Sequence, residues 1–214
     1  MKNLFLVDGA AGVGKSDMLN YLASNYSSRY LHIFRKSTTR APRPIEKGTL
    51  PLDLIHIEPE RFREAAAEGS FYHYRYGGVD YGFRKVDLDN AIETYLNIFV
   101  VVRNRLLLRV LRHDFAPVAR VVIVLVYSDR ELVAQRLNEE AVQRIGNTEK
   151  AIELARKEIE RRTKRTRDVW RDYLRDPYLY DEVIINAFTR ANYELLIERL
   201  LDKYSDYNLP ASAR

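Results

Sequence analysis

Gly9-Ala10-Ala11-Gly12-Val13-Gly14-Lys15-Ser16 follows the apolar run Leu4–Val7 and opens an amphipathic stretch that reaches Asn25. The octet fits the G-x-x-x-x-G-K-S/T phosphate-loop pattern at every fixed position, in the strand-before, helix-after context that the pattern requires. The glycines let the backbone turn so that successive N–H groups converge on phosphate oxygens, so residues 9–16 are the expected ATP-phosphate cradle. The helix that follows adds the positive end of its dipole. Lys15 is expected to reach the β- and γ-phosphates and the Ser16 hydroxyl to ligate Mg²⁺. The plainer alternative is a glycine-rich turn with no ligand, but a chance match in a chain of this length has odds of about 1% on average residue usage.

Outward from the octet, short apolar runs alternate with longer amphipathic stretches. The runs at Leu4–Val7, Leu31–Phe34, Ile98–Val102, Val121–Val126 and Val183–Ile185 read as buried parallel strands, rich in Val, Ile and Leu without polar alternation. Helices are predicted at Lys15–Asn25, Glu60–Glu68, Lys85–Tyr95, Arg103–Arg112, Arg130–Arg144, Lys150–Tyr173 and Arg190–Tyr204. The alternation predicts an α/β fold with a doubly wound, parallel, five-stranded sheet. Residues 36–83 break it with four prolines (Pro42, Pro44, Pro51, Pro59) and a run of tyrosines, too long for a simple connection. The expected organisation is a core from 1–35 and 84–206, an α+β insertion at 36–83, and a frayed tail at 207–214.

Composition bounds the function without choosing it. Thirty-five basic and 30 acidic side chains give a net charge of +5, which suits phosphates, nucleic acid or an acidic membrane. With no cysteine, disulfides and cysteine-based metal sites or nucleophiles are excluded. His32, His56, His73 and His113 have no metal-ligand spacing. No apolar run has membrane-spanning length, and a cytoplasmic chain is expected.

Ser37-Thr38-Thr39-Arg40-Ala41-Pro42-Arg43-Pro44, some twenty residues after the phosphate loop, resembles the start of the monophosphate-binding insertion of guanylate kinases. The resemblance implies that Arg40 and Arg43 hold the acceptor phosphate, for which planar guanidinium forks are suited. A solvated basic loop is the bland alternative. Asp53 falls where the family has an acid before D-Y-x-F, and Tyr81-Gly82 is similar to its Y-G pair, whose tyrosine contacts the acceptor phosphate. Tyr180-Asp181 through Asn186 resembles a late motif near the adenine, which puts Asn186 on that side.

The departures fall where guanine would be read. Lys36 stands where the family has Ser, Leu54 where it has the D-Y tyrosine, and Phe83 where Ser or Thr follows Y-G. The guanine-binding Glu falls at Tyr72 or His73, depending on a one-residue gap. A pocket that loses a hydrogen-bonding carboxylate loses its discrimination, so base specificity is open. After the third core strand the family's D-x-D is replaced by Arg103-Asn104-Arg105, either phosphate ligands or the exposed opening of the next helix. Asp8, beside the loop, is similar to the acid of cytidylate, thymidylate and deoxynucleoside kinases. It would order Mg²⁺ through water, or take a proton from a hydroxyl acceptor.

Arg136, Arg144 and Arg156 fall where the family keeps its lid, about 136–165, and the resemblance implies that they close over ATP. Half of the charges over Arg161–Arg175 read as a solvated helix face paired at i, i+4. The sequence thus points to ATP- and Mg²⁺-dependent phosphorylation of a nucleoside monophosphate, GMP or dGMP by default, with Lys15, Arg40, Arg144 and Arg156 as catalytic residues. Three alternatives stand beside it: a hydroxyl kinase with Asp8 as base, a non-catalytic module binding a phosphorylated protein, and a nucleic-acid-stimulated ATPase. Nucleotides are the expected partners, nucleic acid is disfavoured, and a homodimer is left open.

Overall fold

The structure is a computed structural model that describes residues 1–42, 51–145, 153, 156, 160, 167–187 and 189–204. Its first strand, β1 (Asn3–Asp8), is buried along its whole length because the apolar residues occupy both faces. The chain continues through α1 (Lys15–Asn25) to β2 (Leu31–Ile33), and then into a second sheet. That sheet is built from β3 (Lys36–Thr38), β4 (Leu54–His56), β5 (Phe71–Tyr76) and β6 (Val79–Arg84), with α2 (Pro59–Ala67) packed against β5. The first sheet resumes with α3 (Lys85–Thr94), β7 (Asn97–Val101), α4 (Arg105–Phe115) and β8 (Arg120–Tyr127). Next come α5 (Arg130–Ile145), helix α6, described over 167–175, β9 (Glu182–Ile185) and α7 (Arg190–Tyr204).

The first sheet has the order β2-β7-β1-β8-β9 with every pairing parallel, the five-stranded doubly wound arrangement expected. Its centre is the stack of Phe5 on Phe99, ring centres 4.5 Å apart and ring planes nearly parallel, across β1 and β7. The chain leaves β1 toward β2, returns through β7 and then crosses to β8 on the other side of β1. Such a reversal opens a crevice at the carboxyl ends of the strands, where α/β sheets bind ligands. The second sheet has the order β4-β3-β6-β5 and joins the tight β5–β6 hairpin through antiparallel β3–β6 pairs.

The helix after β7 starts two residues later than the predicted Arg103. Asn104 stays extended and its side chain accepts from the Leu107 N–H at 2.8 Å, a side-chain cap that fixes the first turn at Arg105. The predicted helix Lys150–Tyr173 lies mostly outside the described residues, as do the tail at 207–214 and Arg43. Among the described residues no helix is long and apolar enough to cross a membrane.

Candidate active site

The phosphate loop occupies the crevice. Gly9, Gly12 and Gly14 have φ of 148°, 82° and 101°, conformations that side chains rarely adopt, and Gly14 caps α1. A Cβ on Gly9 would lie 2.4 Å from the Val126 carbonyl oxygen, so the loop also needs glycine there to sit close to β8. Ala10 and Val13 are buried and anchor the turn, Ala11 and Gly12 are half-buried, and Ser16 is exposed in the first turn of α1. Lys15 folds back over the loop, its Nζ donating to the carbonyls of Gly9 at 2.7 Å and Ala10 at 2.5 Å. Burial, and then the charge of Arg103, lower its pKa to about 7, against the opposing pull of Asp8 and Asp53.

Asp8 ends β1 with no exposed surface, and its carboxylate is fully engaged. Oδ1 accepts from the Gly9 N–H at 2.7 Å and from Arg103 Nη1 at 2.8 Å, while Oδ2 accepts from the Tyr180 hydroxyl at 2.7 Å. The expectation that Asp8 orders Mg²⁺ water or acts as a base meets a carboxylate already neutralised by a guanidinium. Arg103 is thus neither an exposed helix opening nor a free phosphate ligand. It is largely buried and lies over the Tyr76 ring at 5.3 Å. Burial works against its charge, but Asp8 and Tyr76 outweigh this and raise its pKa above the usual value. Arg105 turns away to Asp176, at 2.9 Å.

On the far side of the loop, Asn186 is buried, and its amide donates to the Val13 carbonyl at 2.9 Å. Its side-chain oxygen accepts from Arg136 at 3.2 Å, and the Tyr193 hydroxyl donates to the Gly14 carbonyl at 2.9 Å. Asn186 therefore spends its side chain on the phosphate-loop backbone and on Arg136, not on an open adenine edge. Of the expected lid arginines, Arg136 is tied to this cluster, and Arg156 is helical and exposed. The Arg144 side chain lies outside the described residues.

The second sheet carries the residues expected on the acceptor side. Lys36 is buried with its Nζ 2.8 Å from Asp53 and 5.9 Å from the Tyr81 ring centre, and Tyr81 stacks on Tyr74. Burial disfavours the Asp53 carboxylate, but the charge and hydrogen bond of Lys36 prevail and hold its pKa below the usual value. Alternation along β5 sends Tyr72, Tyr74 and Tyr76 to one face and His73 to the other. Tyr74 meets the backbone of Arg103. The Tyr72 hydroxyl instead donates to Asp114 on α4 at 2.8 Å, and burial with that bond raises its pKa. His73 is exposed beside Phe62, 3.2 Å from Asp80. Of the residues expected on the acceptor side, Lys36, Asp53 and Tyr81 come together, whereas Tyr72 and His73 point elsewhere. Arg40 is half-buried after β3, its N–H donating to the Thr38 hydroxyl at 3.1 Å and its carbonyl 2.6 Å from His56 Nδ1.

A phosphate loop at the reversal point of a parallel sheet, flanked by a second, inserted sheet, is the architecture of a P-loop α/β chain. Its relatives narrow this: the chain is guanylate kinase-like. It is 33% identical over 86 residues to a ribose 1,5-bisphosphate phosphokinase of Azotobacter vinelandii, covering 39% of this chain and 44% of that one. It is 27% identical over 99 residues to a guanylate kinase of Idiomarina loihiensis, 46% of each chain. These matches span just under half of the relatives' length. The crystal structure of a guanylate kinase from Anaplasma phagocytophilum has the same fold, with a TM-score of 0.56 at 15% identity over 97% of this chain and 88% of that one. No family model matches the chain.

Sequence reading weighed Arg103 only as a phosphate ligand or a helix opening, and did not join it to Asp8, Tyr180 and Tyr76. One signal was present: an acid at the end of a buried strand requires a cationic partner, and Arg103 lies just past the end of the neighbouring strand.

Proposed function

We propose that the protein is an ATP-dependent phosphotransferase that adds a phosphoryl group to a phosphate already carried by its acceptor, with a nucleoside monophosphate, GMP or dGMP, as the default. The observation that carries this reading is the electrostatic union of the two halves. Arg103 bridges them, 2.8 Å from Asp8 beside the phosphate loop and 5.3 Å from the ring of Tyr76 on the second sheet, so donor and acceptor phosphates would meet in one field. The intact glycine geometry and the first turn of α1 fit a triphosphate. Ser16 would hold Mg²⁺ together with phosphate oxygens and water, a ligand set that suits this ion, and the ion would offset charge on the transferred group. Arg40, Arg43 and Tyr81 orient the acceptor, and Arg136, Arg144 and Arg156 close over the donor and exclude water. An acceptor phosphate needs no general base. The clamped state of Asp8 therefore weighs against the hydroxyl-kinase alternative. A cytoplasmic location goes with this reading.

A second acceptor has specific support. Neither Tyr72 nor His73 offers a carboxylate to a guanine edge, and one relative is named for ribose 1,5-bisphosphate. The test is ATP consumption against ribo- and deoxynucleoside monophosphates and ribose 1,5-bisphosphate, with Arg40→Ala alongside. Turnover of one acceptor that is lost in Arg40→Ala supports the reading. ATP binding without turnover of any phosphorylated acceptor overturns it.

A further inference from the structure

Asp8 and Lys15 approach the same residue from opposite sides, since Gly9 gives its N–H to Asp8 and its carbonyl to Lys15. A buried carboxylate beside a phosphate-binding ammonium is a competitor for that ammonium, because it offers the charge that the ligand would bring. Here the competition is suppressed. Arg103 takes Oδ1 of Asp8 at 2.8 Å and Tyr180 takes Oδ2, leaving the carboxylate no oxygen turned to Lys15 by any bond among the described residues. Arg103 is itself fixed by the second sheet, under the Tyr76 ring at 5.3 Å and against Tyr74 through its backbone.

We propose that Arg103 is a positioning residue that sequesters Asp8 from Lys15, so that the ammonium, resting on the Gly9 and Ala10 carbonyls, is not drawn away from donor phosphate, and that Tyr76 ties this clamp to the second sheet. The proposal rests on the reading of the loop as an ATP site but not on which acceptor is used. It goes beyond counting charges, because it assigns opposite signs to two neighbours. Removing Arg103 alone should harm donor binding, while removing Arg103 and Asp8 together should not.

The test is ATP affinity, measured by titration with a fluorescent ATP analogue below the unfolding temperature of each variant. Arg103→Gln is expected to weaken binding about tenfold by freeing a buried carboxylate to pair with Lys15. Arg103→Gln combined with Asp8→Asn is expected to return within about threefold of the parent. Tyr76→Leu is expected to give a smaller loss in the same direction. Unchanged affinity in a folded Arg103→Gln variant overturns the sequestering role, as does a double variant that stays tenfold weak. If Arg103→Gln does not fold, the double variant alone decides by the same threshold. Unchanged affinity in Tyr76→Leu overturns the link to the second sheet. Because the readout is ATP binding, a parent protein that binds ATP but phosphorylates nothing would sink the kinase reading, while the affinities of the variants would still decide the sequestering role.

Discussion

Lys36 Nζ lies 2.8 Å from Asp53 Oδ2, an ion pair that ties a buried ammonium on β3 to the half-buried residue just before the adjacent parallel strand β4. Asp53→Asn leaves a buried ammonium without its counter-charge, and a stability loss of about 3–5 kcal/mol is expected. Replacing both, as Lys36→Met with Asp53→Leu, should recover most of it. Urea unfolding of the parent and these two variants measures this. The pair also fixes an acid dependence. The pKa of Asp53 is lower in the folded protein than in the unfolded chain, so its stabilisation is present above the ordinary aspartate value. It is lost as pH falls through the depressed folded value, and the Asp53→Asn variant should lack that part of the acid-unfolding transition.

Gly14 and Asn186 are matched in shape. A Cβ on Gly14 would sit 2.2 Å from Asn186 Nδ2, at a φ of 101° that is itself strained for alanine. Gly14→Ala should therefore displace the amide from the Val13 carbonyl and weaken ATP binding more than it lowers the unfolding temperature. Asn186→Leu removes the same bond and leaves the Val13 carbonyl short of a donor, at a cost of about 1–3 kcal/mol. Thermal unfolding and ATP titration of both variants separate the two effects.

Tyr72 and His73 test the orientation of β5. The Tyr72 hydroxyl is occupied by Asp114, and His73 faces α2 beside Phe62. Tyr72→Phe and His73→Ala are expected to leave the acceptor KM within about twofold, as surface changes away from a site do. Tyr81→Phe should raise it. Steady-state kinetics with whichever acceptor is turned over give the comparison, and a large KM change at Tyr72 or His73 would contradict this orientation.

The core of this fold was legible because local rules carry it. A buried parallel strand is a short apolar run, and the phosphate loop is a contiguous octet whose glycines announce their backbone. The five runs named from sequence all fall within strands of the first sheet or extend one residue past them. What stayed hidden are pairs distant in sequence. Asp8 finds Arg103 95 positions on and Tyr180 172 positions on, and no spacing rule links them. Lys36 stood in the sequence as a departure from the family's Ser, and its ion pair with Asp53, 17 positions away, was not legible there. The alternation of β5 was equally invisible until the hairpin register was fixed by the Gly77-Gly78 turn, because a one-residue slip would exchange Tyr72 for His73.

Lys15 provides the pH dependence. Its pKa of about 7 in the free protein lies below that of an ordinary lysine, chiefly through burial and then through repulsion by Arg103. Between about 7 and 10.5 the folded protein is therefore mostly deprotonated at this residue while the unfolded chain is protonated. Stability from this group accordingly rises with pH across that window. Donor phosphate reverses the balance, because a nearby anion favours the charged ammonium. ATP binding at pH 8 should thus take up protons. Calorimetric titrations in pairs of phosphate-free buffers of unlike ionisation enthalpy, each pair buffering at the pH used, should give different apparent binding enthalpies. The difference should shrink at pH 6, where Lys15 is already charged, and vanish at both values in Lys15→Met. Equal enthalpies in both buffers at pH 8 would show that the lysine enters the complex in the protonation state it already had.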